Sequence, residues 1–132
     1  MDELVTTNKK SKQGRILVVD DDMLILDTLE KGLSLSGYQC AVATRPTQAL
    51  ELFSKNVFDV MVTDIVFPGM SGFELTYKVK HSERYKDIPI ILVTSLESKE
   101  DKERGIEAGA NAYIVKRSFD QTNLLETIKR LI

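Results

Sequence analysis

Ile16-Leu17-Val18-Val19-Asp20-Asp21-Asp22 is the stretch that decides the fold. Four apolar residues stand in an unbroken row, and three are β-branched. Such a run is the signature of a strand buried on both faces, which occurs in parallel sheets. Three acids follow at once. In open α/β sheets the working site lies outside the carboxyl ends of the strands, so acids at this position mark where to look for chemistry.

Outward from this stretch the same alternation recurs. Apolar runs lie at Ile16–Val19, Gln39–Ala43, Val57–Thr63, Ile88–Thr94 and Ala112–Val115, and each is followed by an amphipathic segment. The first segment, Asp22 to Ser36, places Ile25, Leu26, Leu29 and Leu33 on one face, with Gly37 as its stop. The second opens at Pro46 and turns Ala49, Leu50 and Phe53 inward. The third begins with the capping box Ser71-Gly72-Phe73-Glu74. The fourth follows Ser98 and ends near Gly109. The fifth follows Ser118-Phe119-Asp120-Gln121 and carries Leu124, Leu125, Ile128 and Leu131. Five β–α units in a row predict an α/β fold, a flavodoxin-like doubly wound parallel sheet of five strands in the order 2-1-3-4-5.

The chain has 132 residues, 42% of them hydrophobic, which suits one domain with a single core. Residues 1–13 are expected to form a flexible tail and residues 14–132 the domain. Charged residues make up 29% with a net charge of -2, so the basic excess of a nucleic-acid-binding surface is missing. Cys40 has no cysteine partner and lies in an apolar stretch, which predicts a buried structural thiol and a reducing, cytoplasmic location. No apolar run approaches the roughly 20 residues needed to span a bilayer, and the polar N-terminus lacks the apolar core of a signal peptide.

The strand ends carry the chemistry. The first ends in Asp20, Asp21 and Asp22, the third in Asp64, the fourth in Thr94-Ser95 and the fifth in Lys116. Carboxylates from neighbouring strands repel unless a cation sits among them, and a hard divalent ion such as Mg²⁺ suits an all-oxygen set. Lys116 adds a point charge and Thr94 a hydroxyl for phosphoryl oxygens. Asp64 can itself accept a phosphoryl group as an acyl phosphate. Each residue also has a plainer role open to it. Acids favour helix N-termini, and Asp22 is the best cap candidate. Thr94 alone is an ordinary strand-end residue. His81, in a charged stretch, is expected to be solvated.

Taken in order, VVDD (18–21), Asp64 with Pro68 four residues on, Gly69-Met70-Ser71-Gly72, LVTS (92–95) and GANAYIVK (109–116) resemble the receiver domain of two-component response regulators over residues 14–132. The C-terminal third resembles, more narrowly, receivers fused to chemotaxis-type hybrid histidine kinases. The resemblance implies that Asp64 is the phosphoacceptor. It also implies that Asp20, Asp21, Asp64 and the backbone carbonyl of Val66 hold Mg²⁺, and that Thr94 and Lys116 hold phosphoryl oxygens. Tyr113 stands at the family's aromatic switch position, coupled to Thr94. The implied donor is a sensor histidine kinase or phosphotransfer protein. The implied output is a docking face made by the fourth helix, fifth strand and fifth helix, for a protein partner or a second copy. Beyond self-phosphorylation and self-dephosphorylation no enzymatic activity is expected, and neither nucleic acid nor membrane is an expected direct partner. With the sequence ending at Ile132, the signal is expected to leave by protein contact or a fused region, or to stop in a phosphate sink.

The chain departs from the family pattern at Arg117, where most receivers carry proline after the lysine. A cis bond before a non-proline residue costs roughly 2.5–4 kcal/mol, so a trans bond is expected here. Val66 and Leu96, two residues beyond Asp64 and Thr94, are apolar where polar residues can orient hydrolytic water, which predicts a long-lived phosphorylated form. Two other readings compete: a receiver-fold docking module without phosphate, and a small phosphatase of the haloacid-dehalogenase type. Intact acids and lysine oppose the first. Asp20-Asp21-Asp22-Met23-Leu24 fits the second's signature imperfectly, and the length leaves no room for its cap domain. A flavodoxin relative would need a hydroxyl- and glycine-rich loop after the first strand.

Overall fold

The computed structural model describes residues 14–132, so the expected tail over 1–13 lies outside the described residues. Five strands, β1 (Arg15–Val19), β2 (Gln39–Ala43), β3 (Val60–Thr63), β4 (Ile90–Thr94) and β5 (Ala112–Val115), alternate with five helices. These are α1 (Met23–Leu35), α2 (Pro46–Lys55), α3 (Gly72–Lys80), α4 (Lys99–Ala108) and α5 (Gln121–Leu131). All strand pairs are parallel and the order is β2-β1-β3-β4-β5, as expected from the sequence.

Alternate side chains of each strand point to opposite faces, which divides the core in two. Leu17, Val19, Met61, Ile90 and Leu92 pack with Ala49, Phe53, Leu75 and Val79 under α2 and α3. Ile16, Val18, Val60, Val62, Ile91 and Val93 pack with Leu26, Leu29, Leu33, Leu124 and Ile128 under α1 and α5. Burying one such aliphatic side chain contributes about 1.5–3 kcal/mol, so the two helix layers hold the sheet between them.

Helix starts follow local chemistry. Asp22, Ser71, Ser98 and Asp120 each cap a helix by accepting backbone N–H groups from Leu24 and Ile25, Glu74, Asp101 and Asn123 respectively. Each such cap stabilises by about 1 kcal/mol. Gly37 and Gly109 follow α1 and α4 with positive φ of 98° and 106°, where a β-carbon would be strained.

Two apolar runs are longer than the strands they contain. β3 starts at Val60 rather than Val57, and β4 at Ile90 rather than Ile88. Val57 is 73% exposed, whereas Phe58 turns into the core. The Asp59 carboxylate accepts the Arg15 N–H at 2.8 Å, a side-chain bond in place of a ladder bond. The Ile88 N–H closes a turn onto the Tyr85 carbonyl at 3.0 Å. Among the described residues no peptide bond is cis, so Lys116–Arg117 is trans as expected.

Candidate functional site

The acids reach one rim because the ladder continues past the strands. The Asp20 N–H donates to the Ala43 carbonyl (3.1 Å) and the Asp64 N–H to the Val19 carbonyl (3.0 Å). β1 lies between β2 and β3, so Asp20 and Asp64 flank the point where strand order reverses. One ligand oxygen from each of Asp20, Asp21 and Asp64 lies within 4.8 Å of the other two. Asp20 and Asp64 are buried, whereas Asp21 is exposed. This all-oxygen, anionic set fits a hard divalent cation better than a soft metal.

Lys116 enters from the far side of the sheet. Its Nζ sits 2.8 Å from Asp20 Oδ2 and 2.9 Å from Asp64 Oδ2. The other oxygens are also engaged: Asp20 Oδ1 accepts the Asp22 N–H at 2.9 Å, and Asp64 Oδ1 the Ile65 N–H at 2.6 Å. Burial pushes the Asp20 carboxyl above its ordinary range, and the Lys116 bond, the Asp22 N–H and the Lys116 charge only partly offset this. For Lys116 burial works against the charge, but bonds and charges from Asp20 and Asp64 outweigh it and raise the lysine. The ammonium is therefore fixed in its charged form between two carboxylates.

Thr94 ends β4 fully buried, and its Oγ1 accepts the Leu96 N–H at 3.4 Å. Tyr113 is half-buried on β5 and packs against the α2–α3 side of the core. Its hydroxyl donates to the Leu96 carbonyl at 2.7 Å, so the ring already lies inward in this structure. Burial, with Asp101 and Asp64 adding, pushes the phenol up to about 12. Val66 is 54% exposed and Leu96 partly buried. Cys40 is half-buried rather than fully buried, because it stands on the edge strand β2.

Several contributors escaped the sequence reading. A β-carbon on Gly72 would overlap the Asp64 carbonyl, and one on Gly105 would lie 3.1 Å from the Tyr113 ring. Arg117 pairs with Glu97 at 2.7 Å. His81 is exposed as expected, but its ring stacks on Tyr77 at 3.8 Å, an i,i+4 contact that the spacing could have revealed.

Fold and rim together define a doubly wound α/β protein with a carboxylate-and-lysine site at its switch point. The family model of the response regulator receiver domain matches residues 16–129, and the chain belongs to that family. It is 34% identical over 127 residues to a gliding motility regulatory protein of Myxococcus xanthus, covering 96% of this chain and 16% of the relative. Among solved structures, the signal receiver domain of a signal transduction histidine kinase from Syntrophus aciditrophicus superposes with a TM-score of 0.83 at 30% identity, covering 89% of each chain. The chemotaxis response regulator CheY4 of Vibrio cholerae superposes with a TM-score of 0.82 at 34% identity, covering 89% of this chain and 98% of that one. The chain spans from 16% to about half of the length of the curated relatives it matches. Among the described residues no helix is long and apolar enough to cross a membrane.

Proposed function

We propose that this domain accepts a phosphoryl group on Asp64 from a phosphohistidine-bearing kinase or phosphotransfer protein, and that the change is read by a protein partner. The observation that carries the reading is the placement of Lys116 Nζ within 2.9 Å of both Asp20 and Asp64. An ammonium so placed can follow the charge from the acceptor carboxylate to the incoming phosphoryl oxygens. Asp20, Asp21, Asp64 and the Val66 carbonyl would hold Mg²⁺. When bound, the ion supplies positive charge against the carboxylates and the phosphoryl oxygens.

Asp64 supplies the attacking oxygen. The donor's P–N bond breaks as the P–O bond to Asp64 forms. Thr94 offers its hydroxyl from the neighbouring strand end. The Leu96 backbone meets Thr94 through its N–H and Tyr113 through its carbonyl, so movement of this loop changes the surface of α4, β5 and α5. Phosphorylation shifts a balance of states on that face, where a downstream protein or a second copy docks. The domain works in the cytoplasm in this reading, and direct nucleic-acid contact plays no part.

The test is incubation with acetyl phosphate and Mg²⁺, read by intact mass, for the wild type and Asp64→Asn. The wild type gains one phosphoryl group and the variant none. Equal gain in both would remove Asp64 from the role.

A further inference from the structure

We infer that the Arg117–Glu97 ion pair is a positioning clamp that joins the loop following Thr94 to the turn that carries Lys116, the two groups meant for the phosphoryl oxygens; the inference rests on the proposed phosphoacceptor function. Lys116, Arg117 and Ser118 form a single 3₁₀ turn directly after β5. The Phe119 N–H closes it onto the Lys116 carbonyl at 3.1 Å, and Phe119 packs against the core under α1 and α5. From this turn Lys116 points down to Asp20 and Asp64, while Arg117 Nη2 reaches sideways to Glu97 Oε1 at 2.7 Å.

Glu97 belongs to the segment between β4 and α4, which three side chains hold. Thr94 Oγ1 accepts the Leu96 N–H, the Tyr113 hydroxyl donates to the Leu96 carbonyl, and Arg117 takes Glu97. Ser98 then caps α4. The first two contacts fix the root of the segment from below and from β5, whereas only the third ties it to the turn that carries Lys116. A proline at position 117 would have no side-chain donor for this contact. Arg117 can form it because its trans junction and 3₁₀ turn bring the guanidinium alongside Glu97.

Both partners are solvent-exposed, with side-chain exposures of 79% and 45%, so the clamp is weak and screened by salt. An exposed pair of this kind is worth a factor of about two to five in an equilibrium or a rate. The β4–β5 ladder already pairs Thr94 with Val115, so the clamp trims the placement of the Lys116 turn against the loop after Thr94 rather than holding the fold.

The experiment measures the rate of phosphoryl gain from acetyl phosphate with Mg²⁺, at low and at high ionic strength. It uses the wild type, Arg117→Ala, Glu97→Ala, the double variant and the charge-reversed pair Arg117→Glu with Glu97→Arg. At low salt each single variant is slower by about two- to five-fold, the double variant is no slower than either, and the reversed pair recovers. At high salt the differences close. Effects of the two singles that multiply in the double variant, a reversed pair as slow as the singles, or single variants equal to the wild type at low salt would overturn the clamp while leaving the phosphoacceptor reading standing. No phosphoryl gain by the wild type would overturn both.

Discussion

The carbonyl oxygen of Asp64 occupies the space that a β-carbon on residue 72 would need, so only glycine lets α3 begin where it does. The Gly72 N–H donates to the Ile65 carbonyl at 2.7 Å, and the Gly72 carbonyl accepts from buried Thr76 Oγ1 at 2.8 Å. The helix start is thus pressed against the backbone of the proposed acceptor. Gly72→Ala forces one of them to move. Overpacking of this kind costs about 1–3 kcal/mol. The expected result is a lower urea midpoint and slower phosphoryl gain. Unchanged values for both would show that the segment yields freely and that Gly72 does not position Asp64.

Asp21 separates metal binding from folding. It is exposed, and it forms one corner of the three-carboxylate cluster. Removing an exposed side chain typically changes stability by less than about 0.5 kcal/mol. A ligand that binds only the folded form adds about 2.7 kcal/mol at one hundred times its Kd. Mg²⁺ should therefore raise the melting temperature of the wild type and leave Asp21→Ala unmoved, while the two proteins melt together in chelator. An equal Mg²⁺ response in both would take Asp21 out of the site.

Val66 is 54% exposed and has no polar side-chain atom to orient a water, and Leu96 is equally apolar. Hydrolysis of an acyl phosphate speeds up when a side chain positions the attacking water. The phosphorylated form should therefore outlast minutes in Mg²⁺ buffer, and Val66→Asn should shorten its life. The decay of the phosphorylated mass with time measures both. A wild-type half-life of seconds would contradict the argument.

Cys40 gives a pH signature on a part of the molecule away from the acids. Burial pushes its thiol up to about 11, a Ser34 hydrogen bond opposes this, and Glu30 adds to it. Above pH 9 the unfolded chain loses a proton that the folded chain keeps, so this group's contribution to stability falls as pH rises from about 9 to about 11. At pH 8 only about one thiol in a thousand is ionised. Alkylation by iodoacetamide should be about a hundredfold slower in the native protein than in urea at that pH. Equal rates would mean that the thiol is not shielded.

Strand order and the rim acids were legible in the sequence because both depend on local pattern. Continuous apolar runs announce buried parallel strands, and acids directly after Val19 and Thr63 have nowhere to go but the rim. The starts of β3 and β4 were not legible, although Gln39 and Ala112 begin their strands as read. Val57 and Ile88 read as strand by their apolar side chains, but Val57 faces solvent and the Ile88 N–H closes a turn. The close approaches were also hidden. Gly72 and Gly105 matter through what lies across from them, Asp64 in one case and Tyr113 in the other. Arg117 stood out as a departure from the family pattern, yet its partner Glu97 lies 20 residues away in sequence, and only the fold brings them together.

Gly105 tests the inward seat of Tyr113. A β-carbon there would stand 3.0 Å from Leu92 Cδ1 and 3.1 Å from Tyr113 Cδ2. Leu92 is fully buried and held on all sides, whereas Tyr113 is half-buried, so the tyrosine is the group that gives way. Gly105→Ala should push the ring outward and break the hydroxyl's bond to the Leu96 carbonyl. The lost hydrogen bond costs about 1 kcal/mol, and alanine in place of glycine inside α4 returns a similar amount, so the urea midpoint should barely move. The phenol reports the change instead. Burial holds it at about 12 in the wild type, so Tyr113 stays mostly protonated at pH 11. Moved into water, it should titrate near the ordinary tyrosine value of about 10 and be mostly ionised at that pH. Ring-carbon chemical shifts of Tyr113 in the two proteins distinguish the cases. If the variant keeps the wild-type titration, Leu92 rather than Tyr113 has moved, and the packing argument for the switch position fails.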